Sequence, residues 1–290
     1  MNPEHSYASG GVAEGDAPAV AFEDVSLHFD DVPALDHLSF SIKSGETCVV
    51  VGEAGSGKTM LLKTAVGLVR PDSGRVFLFA REITKLKESA LAEARSRVGI
   101  LFQEGGLFDS LTIEENVGYP LLNVPGLSRN GGDSSQHIAE CVLKSLRFVE
   151  LEKTLDKFPS ELSGGMRRRV GIARAVVTEP ELVLYDSPTA GLDPITANRI
   201  IHLIIQERDV RNTATIMVTH RYQDGHLMAN FRYNPSSGRV EPSDGHHDES
   251  HVSTKFLVMR AGKLVFEGSE AELCASADPY VQKFARPGSS

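Results

Sequence analysis

One stretch restricts the fold more than any other: TCVVVGEAGSGKTMLLKTAVGLV, Thr47 to Val69. A short apolar, β-branched run from Thr47 to Gly52 has the pattern of a strand buried on both faces, as in a parallel sheet covered by helices. Leu61, Leu62, Ala65, Val66 and Val69 then recur at helical spacing. Between strand and helix lies GEAGSGKT, Gly52 to Thr59, which fits G-x-x-x-x-G-K-[ST]. Gly55 and Gly57 let the backbone curl so that successive N–H groups point at one anion. A helix starting near Lys58 adds its positive end. Lys58 then reaches phosphate oxygens, and the Thr59 hydroxyl is a hard oxygen ligand for Mg²⁺. The alternative, a glycine-rich turn that happens to precede Lys-Thr, does not account for the flanking strand and helix.

The same rhythm continues along the chain. RVGILF (Arg97 to Phe102), LVLY (Leu182 to Tyr185) and ATIMVTH (Ala214 to His220) read as further buried strands. DPITANRIIHLIIQER reads as a helix, with Asp193 at its N-cap and Pro194 at its first position. Strands alternating with helices predict an α/β fold with a mostly parallel sheet. Residues 1–18, rich in Gly, Ser, Ala and Pro, read as a disordered tail, and order is expected from AVAFEDVSLHF onward. Residues from about 104 to 178 read as a helical insertion, and 221–254 as a polar loop ahead of a hairpin turning near Ala261 and Gly262. ELCASADPYVQKFARPGSS reads as a short helical end and a tail, with residues 276–290 as the tail.

Composition narrows the class. The chain has 290 residues, 41% hydrophobic and 24% charged, with a formal net charge of -9. That balance disfavours nonspecific nucleic-acid binding. Cys48, Cys141 and Cys274 are few, odd in number and far apart, which suits a reducing compartment rather than a disulfide framework. No apolar run approaches the roughly 20 residues of a membrane helix, and the N-terminus lacks a signal-peptide pattern. A membrane role is therefore expected through a partner.

The LVLY strand delivers Asp186 to the sheet edge, where it is the natural partner of a magnesium ion beside Thr59. ELSGGMRRRVGIARAVV, Glu161 to Val177, resembles the LSGGQ signature of ABC-type ATPases, with Met166 in the fifth place. The resemblance covers about residues 19–275. It implies an ABC-type P-loop ATPase domain with a RecA-like mixed sheet, an N-terminal antiparallel β part and a helical subdomain. It also implies ATP held by Gly52, Glu53, Ala54, Gly55, Ser56, Gly57, Lys58, Thr59 and Met60. Two chains would face each other head to tail, with Ser163, Gly164 and Gly165 of one capping the γ-phosphate of the other. Arg167, Arg168, Arg169 and Arg174 are expected mostly as a solvated basic face with one or two ion pairs. Phe29 falls where the family stacks an aromatic on adenine, with a core strand position as its alternative. Gln103 resembles the glutamine that senses Mg²⁺ and the γ-phosphate. AGLD, ending in Asp193, resembles the D-loop, and His220 resembles the switch histidine.

VGILFQEGGLFDSLTIEENVGYPL, Met166, GLDPIT and DPYVQKF are similar, more finely, to ATPases of Mla/Mce-type phospholipid transporters. That similarity implies a homodimer, an integral-membrane permease and an MCE-domain protein as partners, on the cytoplasmic side of a bacterial inner membrane. Leu107, Phe108, Leu111 and Tyr119 would line the permease groove, or else pack the helical insertion. Amino-acid importer ATPases are the nearest rival family. The chain departs from the pattern at Ser187, where the family carries a water-activating glutamate. A serine hydroxyl cannot accept that proton at neutral pH, and losing a positioned base costs about 10² to 10⁴ in rate. Slow hydrolysis, a nucleotide-driven clamp and substitution by another group such as Glu104 all follow as readings. His246, His247, Asp248 and His251 are close enough in sequence to share a metal, but nothing fixes their geometry, and a solvated loop is the expectation.

Overall fold

A computed structural model of the chain describes residues 18–30, 32–123, 134–243 and 253–285. Two long strands, β1 (Pro18–Phe29) and β2 (Val32–Lys43), open it. The central strand β3 (Thr47–Gly52) runs through the glycine loop into α1 (Lys58–Ala65). The chain continues through β4 (Ser73–Leu78), β5 (Arg81–Glu82), α2 (Glu88–Arg95) and β6 (Val98–Leu101). A helical stretch follows, comprising α3 (Ile113–Asn123), α4 (Ser134–Phe148) and α5 (Gly164–Val176). Next come β7 (Leu182–Asp186), α6 (Pro194–Arg211), β8 (Ala214–Thr219) and α7 (Tyr222–Asn230). The described residues close with β9 (Phe231–Asn234), β10 (Arg239–Pro242), β11 (Thr254–Arg260), β12 (Lys263–Gly268), α8 (Glu270–Ala275) and α9 (Pro279–Gln282).

The expected α/β class is what the chain forms, including the antiparallel N-terminal part. One sheet, ordered β2-β1-β4-β5, is antiparallel. The other is ordered β12-β11-β3-β8-β7-β6 and is parallel except at its β12 edge. Its strands are apolar on both sides because both faces are covered. Val49, Val51, Val183, Tyr185 and Met217 join one core with the helices, whereas Cys48, Val50, Leu182, Leu184, Ile216 and Val218 join a second core with α1 and the antiparallel sheet. Parallel strands end their carboxyl sides along one rim, so β3, β7 and β8 bring Gly52, Asp186 and Thr219 to the same edge.

Two readings of the sequence need correction. The segment read as a polar loop over 221–254 is not one throughout: within it Tyr222–Asn230 forms α7, and Phe231–Asn234 with Arg239–Pro242 forms the β9–β10 hairpin. The hairpin is held from a distance by the buried Arg208, whose guanidinium donates to the carbonyls of Met228 (2.7 Å) and Phe231 (3.1 Å), while Asp209 accepts the N–H of Tyr233 (2.7 Å). Such anchors do not show in local composition. The expected short helical end is present as α8 and α9, but residues 276–285 are not a loose tail. Tyr280, Val281, Phe284 and Ala285 are buried against the core, and Asp278 caps α9 through the Tyr280 N–H. The hairpin turn does fall at Ala261 and Gly262, both at positive φ. Residues 1–17 and the histidines His246, His247 and His251 with Asp248 lie outside the described residues.

Candidate nucleotide site

The rim holds a cleft of ≈ 370 Å³ lined by Ala34, Ala54, Gly55, Ser56, Gly57, Lys58, Thr59, Met60, Gln103, Ser187 and His220. Gly57 shows why the loop needs glycine: its φ is 103°, and a Cβ there would lie 2.2 Å from the Ala34 carbonyl oxygen. As N-cap of α1 it offers no side chain, so no side-chain cap occupies the first N–H groups of that helix. Lys58 folds back into the loop. Its Nζ donates to the carbonyls of Gly52 and Glu53, both at 2.8 Å, and to Ser56 Oγ at 3.3 Å. Burial lowers its pKa, and the neighbouring Asp186 carboxylate partly offsets that. The loop oxygens thus hold the cation in acceptor positions that phosphate oxygens can take over.

Thr59 Oγ1 donates to Asp186 Oδ2 at 3.0 Å, joining α1 to the end of β7. Ser187 Oγ donates to the other oxygen, Asp186 Oδ1, at 3.1 Å. Ser187 has a φ of 51°, sparsely populated for a residue with a side chain. Its N–H is pinned to the Val218 carbonyl at 2.9 Å, which turns the chain sharply off the strand and keeps the side chain at the cleft. The carboxylate beside it is that of Asp186, which does not itself line the cleft, and no carboxylate is among the described lining side chains. The side chain of Glu104 lies outside what is described.

A separate cleft of ≈ 360 Å³ is lined by Ser163, Gly164, Gly165, Met166 and Asp193, among others, and shares no lining residue with the first. Ser163 is the N-cap of α5 and accepts the Met166 N–H at 3.3 Å. Asp193 caps α6 by accepting the N–H groups of Ile195 (3.1 Å) and Thr196 (3.0 Å); its carboxyl pKa is held down first by the Thr196 hydroxyl and then by these N–H bonds. The four arginines of the signature helix are not a solvated face. They reach back to main-chain carbonyls: Arg167 to Leu162 (2.7 Å), Arg168 to Ala190 (3.2 Å), Arg169 to Val149 (2.7 Å) and Arg174 to Gly105 (3.0 Å). A guanidinium fork suits this use, since loop carbonyls otherwise lack donors.

Besides Asp186, three expected residues stand apart from the first cleft's lining. Phe29 is 51% exposed at the end of β1, so it is not a core residue, and it is not in the lining. Glu53 points to Lys283 (2.8 Å), and that contact lowers its pKa. Gly52 lies beneath the lining, against the Met259 carbonyl. Gln103 lines both the first cleft and a larger groove of ≈ 500 Å³ beside α5. Near that groove Phe108 and Tyr119 pack ring to ring at 4.7 Å and remain exposed, whereas Leu107 packs on the core. Among the described residues no helix is long and apolar enough to cross a membrane, and none form a metal-binding cluster of His, Cys, Asp and Glu.

The ABC transporter family model matches residues 35–190, more than half of the chain. The chain belongs to the ABC transporter ATPase family. Its activity is ATP hydrolysis coupled to transport, and the nucleotide it binds is ATP. It is 35% identical over 251 residues to the intermembrane phospholipid transport system ATP-binding protein MlaF of Haemophilus influenzae, covering 87% of this chain and 84% of that protein. It is 38% identical over 189 residues to the methionine import ATP-binding protein MetN of Carboxydothermus hydrogenoformans, covering 65% of this chain and 54% of that one. The chain thus spans only about half the length of the methionine importer protein. Among solved structures, a dimeric ATP-binding cassette in a post-hydrolysis state bound to ADP and Pi superposes with a TM-score of 0.71 at 25% identity, over 86% of this chain and 98% of that one.

Proposed function

We propose that this ABC ATPase works as a homodimer that energises phospholipid transport by an integral-membrane permease, with an MCE-domain protein as a further partner, on the cytoplasmic face of a bacterial inner membrane. The observation that carries the dimer is the separation of the two clefts. Lys58 and Ser163 belong to different cavities of one chain, so a γ-phosphate held by the first meets the second only from another copy. The dimeric cassette that superposes on this chain supports the same arrangement. Lipid as cargo is supported by the share of the relative that this chain covers, 84% of MlaF against 54% and 64% of two MetN proteins. The higher identity to MetN favours a second reading, an importer of a small solute.

In the proposed site Lys58 binds the β- and γ-phosphates, and Gly55, Ser56 and Gly57 present N–H groups to them. The donor set suits Mg²⁺: the Thr59 hydroxyl and Asp186 carboxylate are hard oxygens already in contact, and Gln103 lines the same cleft. When bound, that ion neutralises phosphate charge. His220 donates to the γ-phosphate, and Ser187 orients water without taking its proton, so turnover is slow. Phe29, exposed at the end of β1, offers a face to adenine. The exposed Phe108 and Tyr119 pair offers the permease an apolar foothold.

The test uses the complex captured with a tagged copy of this chain from detergent-solubilised membranes and reconstituted into vesicles. Phospholipid-dependent stimulation of ATP hydrolysis, with two copies of this chain per permease assembly, is the expected result. Stimulation by methionine instead would establish the importer reading, and one copy with no second ATPase subunit would end the dimer.

A further inference from the structure

Ser187 and His220 face the nucleotide cleft from the ends of two neighbouring strands, yet neither side chain holds the other. The link between their segments is Asp224, in α7. Thr189, two residues after Ser187, donates its hydroxyl to Asp224 Oδ2 at 2.5 Å. Thr219, the residue before His220, donates to the same oxygen at 2.8 Å. Thr219 Oγ1 in turn accepts the N–H of Arg221 at 3.1 Å, so both chain neighbours of His220 are tied to this carboxylate. Thr189, Thr219 and Asp224 are all at most 1% exposed, and none of them lines the cleft.

A carboxylate in such a place is an expensive choice for holding two hydroxyls. Its other oxygen, Oδ1, is buried without a hydrogen-bond partner, and the nearest cation, Arg221 Nε, is 3.8 Å away. Burial accordingly raises its pKa. What the carboxylate adds is geometry: one acidic oxygen accepts two converging O–H donors strongly and at short range. The two donors come from the two segments that must keep a fixed separation around the reacting phosphate.

We infer that Asp224 is a positioning residue for ATP hydrolysis, fixing the turn that carries Ser187 against the segment that carries His220. The inference rests on the proposed placement of the γ-phosphate between those two residues. It does not depend on which cargo is moved. Most of the proposed phosphate contacts come from Lys58, Thr59 and the glycine loop before them, which Asp224 does not bond, and His220 adds one contact among these. Loosening the clamp should therefore lower the hydrolytic rate and leave ATP affinity alone. A displacement of order 1 Å at a reacting centre costs roughly 10² in rate.

The experiment measures single-turnover hydrolysis of radiolabelled ATP and equilibrium ATP binding on the full chain. Asp224→Ala is expected to slow hydrolysis about 10²-fold with unchanged affinity. Asp224→Asn keeps an oxygen that accepts both hydroxyls and should recover most of the rate. Thr189→Val and Thr219→Val should each slow hydrolysis, and the double variant should be no slower than Asp224→Ala, because all three break one knot. A folded Asp224→Ala protein with native hydrolysis overturns the inference, as does a loss of affinity that parallels the loss of rate. If Asp224→Ala does not fold, native hydrolysis in the Thr189→Val, Thr219→Val double variant overturns it equally. Native ATP affinity in Lys58→Ala would instead overturn the placement of the nucleotide, whichever way the Asp224 variants behave.

Discussion

The cleft around Lys58 and the cleft around Ser163 both open at a helix N-terminus, but they are built for different moments. At α1 the cap is a bare glycine, and a half-buried lysine sits in the loop with its three donors parked on loop oxygens. At α5 the cap is a serine that already satisfies a helix N–H. The first cleft has its charge and its open N–H groups in place and can bind a polyanion alone. The second has its donors partly spent within the chain and contributes only when a phosphate is brought to it. In the proposed dimer two helix dipoles are used sequentially, one to capture and one to sense capture.

Removing the charge from the first cleft should have the largest effect. In Lys58→Ala the phosphates lose at least two charge-assisted hydrogen bonds of about 1.5–3 kcal/mol each. At tenfold per 1.4 kcal/mol, ATP affinity should fall by about 10²- to 10⁴-fold. Equilibrium binding of a labelled nucleotide to the folded variant reads this directly. Native affinity would mean that the two clefts do not differ in the way described.

Ser187→Glu sharpens the comparison at the chemical step. The residue already occupies left-handed backbone at φ 51°, which glutamate shares as a strained L-residue, so the swap adds a carboxylate with little change in the turn. Steady-state phosphate release should rise by about 10², the contribution of a positioned base. ATP affinity should hold, since Lys58, Thr59 and Asp186 are untouched. If the serine protein already matches the glutamate variant, another group takes the proton. His220 is then the first to replace, because it is the one imidazole among the described lining residues, and a neutral imidazole carries an acceptor nitrogen.

Much of this arrangement is legible in the sequence because it is local. GEAGSGKT, the Asp193-Pro194 helix start and the apolar strands each carry their reason within a few residues. What was illegible depends on partners far away in the chain. The segment YNPSSGRVEP reads as loop, since the hydrogen bonds that make it a hairpin base come from Arg208 and Asp209 on α6. The C-terminal segment is ordered by Tyr280, whose hydroxyl donates to the Met259 carbonyl at 2.9 Å. The arginine run after the signature looks solvated until the carbonyls of Leu162, Ala190, Val149 and Gly105 are placed around it. Asp224 offered the weakest signal of all: an acidic residue in a polar helix, four positions after His220, whose threonine partners are separated by thirty residues of sequence.

The smallest expected effect comes from the second cleft and separates its two uses. Ser163→Ala removes both the cap and the hydroxyl, so it cannot say which matters. Ser163→Asp can. Aspartate is as good an N-cap as serine and adds a favourable charge at the positive end of α5, so the folded chain should be as stable as before or more so. ATP binding to the separate chain should not change, because Ser163 does not line the Lys58 cleft. Yet the new carboxylate would face a triphosphate whenever a second copy docks, and like charges at such a contact oppose association. ATP-driven dimerisation should therefore weaken, by about tenfold for a repulsion of roughly 1.4 kcal/mol, while thermal stability and nucleotide affinity hold. Light scattering with and without Mg-ATP measures the first, and thermal unfolding with nucleotide titration measures the others. If Ser163→Asp dimerises as well as the native chain, the α5 terminus does not meet an anion across the interface, and its serine is only a helix cap.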